Sequence, residues 1–118
     1  MSHPPHILLV EDDVDVRHSL TELLEDEGYR VTTANDGSAA LELLRGGARP
    51  DLLIADLLMP VMTGAELIKA LRADERFARI PVVVFSAASA AAPPEGVRLL
   101  RKPIGIEEML STLRQLIG

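Results

Sequence analysis

The stretch that decides the fold is a short apolar run followed at once by acidic residues: Ile7–Asp13 reads ILLVEDD. Four apolar residues between polar neighbours are too few for a buried helix and are typical of a strand covered on both faces. Similar runs recur at Leu52–Ala55 and Val82–Phe85, and weaker β patterns lie at Arg30–Ala34 and Val97–Arg101. The sequence therefore predicts five short strands.

Helical patterns alternate with these strands. Apolar residues recur at helical spacing, between capping and stop signals, in several segments. These are a segment from Val16 that stops at Gly28, then Ser38–Arg45 after the capping Asp36, Ala65–Ala73 and Ile106–Ile117. Such alternation predicts a doubly wound α/β domain, in which a parallel sheet lies between two layers of helices.

The alternation is interrupted between the fourth and fifth strands. Ala87–Gly96 is rich in alanine and contains Pro93 and Pro94, which cannot continue a helix. We therefore expect the helix that would follow the fourth strand to be shortened or absent.

Length and composition limit the possible classes of protein. The 118 residues make one domain, and 47% hydrophobic and 25% charged residues are ordinary globular proportions. A formal net charge of −6 and the absence of Trp argue against a nucleic-acid partner. The absence of Cys excludes disulfides, thiolate zinc sites and a cysteine nucleophile. Without a signal peptide or an apolar run of about 18 residues, the protein is expected to be cytoplasmic and independent of membranes.

The amino terminus is expected to differ from the rest of this single domain, which spans residues 1–118. Residues 1–5, MSHPP, contain two prolines and no apolar pattern, so they are predicted to form a flexible tail. His3 and His6 are predicted to lie on the flexible surface of this region.

Polar residues follow four of the predicted strands. Glu11–Asp13 follow the first strand, Asp56 the third, Ser86 the fourth and Lys102 the fifth. The carboxyl ends of parallel strands lie at one edge of the sheet, which is where open α/β sheets bind ligands. Each of these residues alone has an ordinary explanation as a cap, a turn residue or a solvated side chain. Their joint placement predicts a functional site at this edge.

The chemistry of this site follows from its charges. Two carboxylates about 5 Å apart repel by roughly 3 kcal/mol at an effective dielectric constant of about 20, so they need a counter-charge or a retained proton. Lys102 supplies one positive charge. Hard oxygen ligands without Cys or a suitably placed His favour Mg²⁺ or Mn²⁺ over Zn²⁺. A magnesium site that keeps waters binds phosphate oxygens, so the predicted chemistry is phosphoryl transfer to an aspartyl carboxylate.

Together, these motifs resemble those of the receiver domain of bacterial two-component response regulators. The matching pieces are ILLVEDD at 7–13, DLLMP at 56–60 with Gly64, VVVFSA at 82–87 and the Lys102–Pro103 pair. The resemblance extends from Ile7 to Ile117. It implies a flavodoxin-like fold with five parallel strands in the order 2-1-3-4-5. It also implies a signalling module that catalyses only its own phosphorylation and dephosphorylation and is not otherwise an enzyme.

The resemblance implies a role for each acidic residue. Asp56 would be the phosphoacceptor. The cation would be Mg²⁺, for which Mn²⁺ could substitute, bound directly by Asp12 and through water by Glu11. The Asp56 carboxylate and the backbone carbonyl of Leu58 would complete the protein ligands, and Asp13 would lie outside the acidic pair.

The resemblance also implies the remaining contacts and the partners. Ser86 would donate a hydrogen bond to the phosphoryl group and Lys102 would pair with it, and the Lys102–Pro103 peptide is expected to be cis. The phosphodonor would be a sensor histidine kinase or a histidine phosphotransfer protein, and phosphorylation would switch a surface that binds a downstream protein. Leu99 stands where the family usually carries Tyr or Phe, so the aromatic movement of the usual switch is not available.

Three other functions are alternatives to that of a phosphoaccepting receiver domain. An aspartyl phosphatase of the haloacid-dehalogenase type needs an acid two residues after the nucleophile, where Leu58 stands. A flavin-binding module needs a Ser/Thr/Gly-rich loop where Glu11–Asp13 stand. A degenerate receiver would act as a phosphorylation-independent interaction module, and the presence of all five site residues, Glu11, Asp12, Asp56, Ser86 and Lys102, argues against it. The chain is either a stand-alone regulator or a domain of a longer protein such as a hybrid kinase.

Overall fold

A computed structural model describes residues 4–56, 64–86, 97–101 and 105–117. These residues form a parallel sheet with helices on both faces. In chain order the elements are β1 His6–Val10, α1 Val14–Asp26, β2 Arg30–Ala34, α2 Gly37–Arg45, β3 Leu52–Asp56, α3 Gly64–Arg72, β4 Val82–Ser86, β5 Val97–Arg101 and α4 Ile106–Ile117. The strands are ordered β2-β1-β3-β4-β5, so the predicted doubly wound sheet and its strand order are confirmed.

The two faces of the sheet bury two separate cores. Successive side chains of a strand point to opposite faces, so each central strand contributes to both cores. The core shared with α2 and α3 includes Leu8, Val10, Leu53, Ala55, Val82 and Val84. The core shared with α1 and α4 includes Ile7, Leu9, Leu52, Ile54, Val83 and Phe85. Burial on both faces explains why these strands are continuous apolar runs.

The predicted helices are found with boundaries one or two residues from those expected, but one predicted stripe is wrong. Val16 was expected on the apolar face of α1, yet it is 42% exposed. The helix begins at Val14 and buries only Leu24 completely, with Leu20 and Leu23 half-buried. Contact with the sheet is therefore made by the later turns of α1, which leaves its first turn open to solvent.

His6 is also placed differently from its prediction as a flexible surface residue. It is the first residue of β1 and only 8% exposed. Its backbone N–H donates to Asp51 Oδ2 at 2.8 Å, and its Nε2 lies 2.7 Å from Thr32 Oγ1. The Pro5 carbonyl accepts a hydrogen bond from the Arg30 N–H, so the ordered sheet extends to the residue before His6. Strand pairing with β2 has overridden the local proline signal.

The burial of His6 predicts a pH dependence of stability. Burial, and next the nearby positive charge of Arg30, lower the His6 pKa from its ordinary 6.5. The backbone of Arg49 and the charge of Asp51 oppose this only in part. The unfolded chain then binds more protons than the folded one below pH 6.5, so the free energy of unfolding falls as the pH drops from 6.5 toward the lowered pKa.

Urea unfolding at about pH 7.5 and about pH 5.5 measures this loss of stability. We expect His6→Gln to lose less stability between these two pH values than the wild type loses. His18→Gln, at an exposed position of α1, is the control and should lose as much as the wild type. Equal losses in all three proteins would contradict the assignment to His6.

Two predicted features fall on residues that the structure does not describe. The shortened or absent helix after the fourth strand falls on residues 87–96, and the flexible tail falls partly on residues 1–3; both segments lie outside the described residues. Within the described ranges, none of the helices has the length and apolar character needed to cross a membrane.

Candidate phosphoacceptor site

The carboxyl edge of the sheet gathers the predicted acidic residues because of the strand register. Val10 of β1 is paired with Ala55 of β3, so Glu11 and Asp56 are the next residues along two adjacent strands. Asp56 is paired with Phe85 of β4. The sheet therefore places Glu11, Asp12 and Asp56 at one edge, as the sequence predicted.

Glu11 is the buried member of this acidic group. It is 4% exposed, and its Oε2 accepts a hydrogen bond from the Asp13 N–H at 3.0 Å. Its backbone N–H donates to the Ala34 carbonyl at 3.0 Å, which extends the pairing of β1 with β2 by one residue. A carboxylate this deeply buried is costly unless it is compensated.

The pKa of the Glu11 carboxyl is shifted by burial and by the residues around it. Burial raises the pKa of the Glu11 carboxyl above its ordinary value, and its hydrogen bond with the Asp12 side chain and the negative charges of Asp56 and Asp12 raise this pKa further. The hydrogen bond from the Asp13 N–H acts in the opposite direction. The carboxylates of Glu11, Asp12 and Asp56 are therefore close enough to repel, and the group favours either a retained proton or a cation.

Asp12 and Asp13 have different environments despite being adjacent. Asp12 is exposed at the bend between β1 and α1. Asp13 is the N-cap of α1, where its Oδ1 accepts hydrogen bonds from the N–H groups of Asp15 at 2.9 Å and Val16 at 3.1 Å. The cap therefore occupies Oδ1 of the Asp13 carboxylate. That Asp13 lies outside the acidic pair stays a prediction.

The other predicted site residues are described only in part. Asp56 is half-buried at the end of β3. Ser86 ends β4, where its backbone is paired with Arg101 of β5, so it lies at the same edge of the sheet. Lys102 and Leu58 lie outside the described residues, and so does the Lys102–Pro103 peptide that is predicted to be cis. The roles assigned to all these residues stay predictions.

The donor set fits a hard divalent cation. The edge offers carboxylate oxygens, including those of the buried Glu11, whose pKa is raised by burial and then by neighbouring acids. A positive charge would relieve the repulsion between these acids. As they stand, the described parts of the chain contain no group of three or more His, Cys, Asp or Glu side chains arranged to hold a metal ion. The predicted set of metal ligands also includes the backbone carbonyl of Leu58, which lies outside the described residues, so the metal site stays a prediction.

Arg17 is a residue of this edge that the sequence analysis missed. Its Nη1 donates to the Glu11 carbonyl at 3.0 Å, and its side chain is half-buried. A signal for it exists in the sequence. Arg17 is the fourth residue of α1, and a basic side chain near a helix N-terminus is disfavoured by the helix dipole, so a specific contact is expected to hold it there.

A small apolar groove of about 70 Å³ lies between α1 and α4 beside this edge. It is lined by Leu20, Leu23, Phe85, Gly105, Ile106 and Met109. Phe85 immediately precedes Ser86, and Ile106 is 55% exposed at the start of α4. Leu99, at the position where an aromatic residue was expected, is half-buried against the core that α2 and α3 cover.

Comparison with known proteins identifies the family. The family model described as response regulator receiver domain matches residues 7–114. The sensor histidine kinase TmoS of Ectopseudomonas mendocina is 39% identical over 127 aligned residues, which cover 99% of this chain and 12% of that kinase. The two-component response regulator ORR11 of Oryza sativa subsp. indica is 39% identical over 83 residues, which cover 70% of this chain and 56% of that regulator. The chain thus spans less than two thirds of these curated relatives.

Solved structures agree over almost the whole chain. The chemotaxis response regulator CheY4 of Vibrio cholerae superposes with a TM-score of 0.85 at 32% identity, covering 97% of this chain and 99% of that chain. The receiver domain of the hybrid histidine kinase CckA superposes with a TM-score of 0.83 at 35% identity, covering 96% and 99% respectively. Residues 7–114 therefore form a response regulator receiver domain, and the chain belongs to this family of two-component signalling modules.

Proposed function

We propose that this receiver accepts a phosphoryl group on Asp56 in a reaction that depends on Mg²⁺, and that phosphorylation switches a surface that binds a downstream protein. The observation that carries the proposal is the buried Glu11 carboxyl, which the strand register places at the same edge as Asp12 and Asp56. Burial raises its pKa, and these two acids raise it further. A protein that only needed a stable sheet edge would gain nothing from crowding three acids there, because their repulsion opposes folding.

Each residue of the proposed site has a separate role in phosphoryl transfer. An Asp56 carboxylate oxygen forms the new bond to phosphorus while the bond from phosphorus to the donor breaks. Asp12, Asp56, the Leu58 carbonyl and, through water, Glu11 would hold Mg²⁺ or Mn²⁺, which when bound supplies positive charge to the phosphoryl oxygens. Ser86 and Lys102 would hold the same oxygens by a hydrogen bond and an ion pair.

The proposed metal dependence is tested with a small-molecule phosphodonor such as acetyl phosphate. The protein is incubated with the donor in Mg²⁺ and, separately, in excess chelator, and its intact mass is measured. We expect one added phosphoryl group in Mg²⁺ and none in chelator, because the acidic edge repels an anionic donor unless a cation is bound. Equal labelling in both, or none in either, would contradict the proposal.

The phosphodonor in the cell is proposed to be a histidine kinase or a histidine phosphotransfer protein. Similarity to receiver domains within histidine kinases supports this partner class. The groove between α1 and α4 is the proposed docking place, because it is apolar, partly open at Ile106 and adjacent to the strand ends. A protein donor that docks there brings its phosphohistidine to the edge where Asp56 lies.

Ile106→Glu tests this docking place. A charge in the groove should slow transfer from a protein donor about tenfold, a typical loss for an apolar anchor at an interface. Labelling by acetyl phosphate should be unchanged, because that donor needs no docking surface. The matched control, Ala73→Glu, adds the same charge at an exposed position beyond the end of α3 and should leave both rates unchanged. Equal rates from the protein donor for Ile106→Glu and wild type would place the docking surface elsewhere.

A further inference from the structure

The turn between β1 and α1 is closed by hydrogen bonds that converge on Glu11. Its N–H donates to Ala34 of β2, its Oε2 accepts from the Asp13 N–H, and its carbonyl accepts from Arg17 Nη1, each at 3.0 Å. The Asp13 carbonyl accepts from the Arg17 N–H at 2.9 Å, within the first turn of α1. Glu11 is thus held on three sides, and Asp12 is the exposed residue at the bend between two fixed neighbours.

Arg17 is the side chain that ties this turn to the helix. The contact spans six residues and joins the strand end directly to α1. The position is unfavourable for a cation on general grounds, since the helix N-terminus carries a partial positive charge. The acceptor of the Arg17 side chain is the carbonyl oxygen of Glu11, so Arg17 acts on the backbone at this residue.

We infer that Arg17 is a positioning residue for the acidic pair: by holding the Glu11 carbonyl it fixes the β1–α1 turn so that Glu11 and Asp12 face the cation that Asp56 also binds. This inference rests on the proposed function, because it concerns the same cation. Ligands held in place before binding lose less conformational freedom when the cation arrives, so the hydrogen bond is expected to increase cation affinity.

The test measures Mg²⁺ binding to the unphosphorylated protein. The rise in Tm with Mg²⁺ concentration gives the affinity without any phosphorylation. Arg17→Met keeps much of the side chain's bulk and removes every donor, and it should bind Mg²⁺ about tenfold more weakly than wild type. Arg17→Lys keeps the charge and an ammonium that can donate but loses the planar guanidinium. It should recover most of this affinity, remaining about threefold weaker than wild type.

Arg49→Met is the matched control. Arg49 also donates from Nη1 to backbone carbonyls, those of Leu44 at 3.1 Å and Ala48 at 2.8 Å, but it follows α2 at the opposite edge of the sheet. Its loss should lower the Tm in the absence of Mg²⁺ and leave the Mg²⁺ affinity unchanged. A structural role alone would make Arg17→Met behave like Arg49→Met.

The outcomes separate this inference from the proposed function. Wild-type protein without any Mg²⁺-dependent rise in Tm would overturn the proposed cation site, and this inference with it. A wild-type response with undiminished affinity in Arg17→Met would overturn the role of Arg17 alone. If Arg17→Met does not fold, Arg17→Lys decides: weakening of about threefold supports the inference, and affinity equal to wild type overturns it.

Discussion

An Asp56→Asn variant is expected to take up no phosphoryl group from acetyl phosphate in Mg²⁺. A neutral amide oxygen is a poor nucleophile, and the variant also removes one of the three carboxylates that favour a cation at the strand ends. Loss of an attacking group costs more than about 1000-fold in rate in enzymes where it has been measured, so labelling should fall below detection. Intact-mass measurement over time compares the variant with wild type.

Asp13→Asn is the control for this prediction. Asp13 lies two residues from Glu11 and caps α1 through Oδ1. Asparagine caps helices about as well as aspartate, so the control changes a neighbouring charge and keeps the local structure. It should be labelled at close to the wild-type rate. Labelling of Asp56→Asn at a similar rate would show that another residue accepts the phosphoryl group.

The second large effect concerns stability. Leu53 is fully buried in β3, the middle strand of the sheet, and packs in the core that α2 and α3 cover. Leu53→Ala removes three buried carbon atoms and leaves a cavity where the surrounding strands cannot collapse, so the free energy of unfolding should fall by about 3 kcal/mol. Urea unfolding followed by circular dichroism measures this loss.

Leu99→Ala is the comparison for this stability prediction. Leu99 makes the same kind of contact from β5, an edge strand, where it is only half-buried. The same deletion should cost about 1 kcal/mol there, because less apolar surface is removed from contact. A loss at Leu53 no larger than that at Leu99 would contradict the view that the face of β3 covered by α2 and α3 is tightly packed.

Much of the fold could be predicted because the burial of each strand and helix is visible as a pattern of apolar residues in the sequence. The central strands are covered on both faces, so they appear as continuous apolar runs such as Leu52–Ala55. The carboxyl-edge position of Glu11, Asp12 and Asp56 followed from the same strand boundaries. The order of the strands did not follow from periodicity, because the hydrophobic pattern of a strand does not show which strand it pairs with. The resemblance to receiver domains implied this order, and the sheet of the structure confirms it.

The errors arose where long-range contacts outweigh local signals. His6 follows two prolines and was assigned to a flexible surface, but pairing with β2 and a contact with Asp51, 45 residues away, bury it. Val16 fits an apolar stripe, but a single helix pattern does not reveal where the sheet ends, and its first turn lies in solvent. Arg17 was missed because its acceptor is a backbone carbonyl, and the sequence signals that contact only through the unfavourable position of a cation in the first turn of α1.

The central expectation for this protein is that Asp56 accepts a phosphoryl group when a divalent cation is present. The most direct measurement is to label wild-type protein with acetyl phosphate in Mg²⁺, digest it rapidly and locate the added group by tandem mass spectrometry. We expect a single modified residue, Asp56, and an unmodified digest when chelator replaces Mg²⁺. Modification of a different residue, or of Asp56 at the same level in chelator, would contradict it.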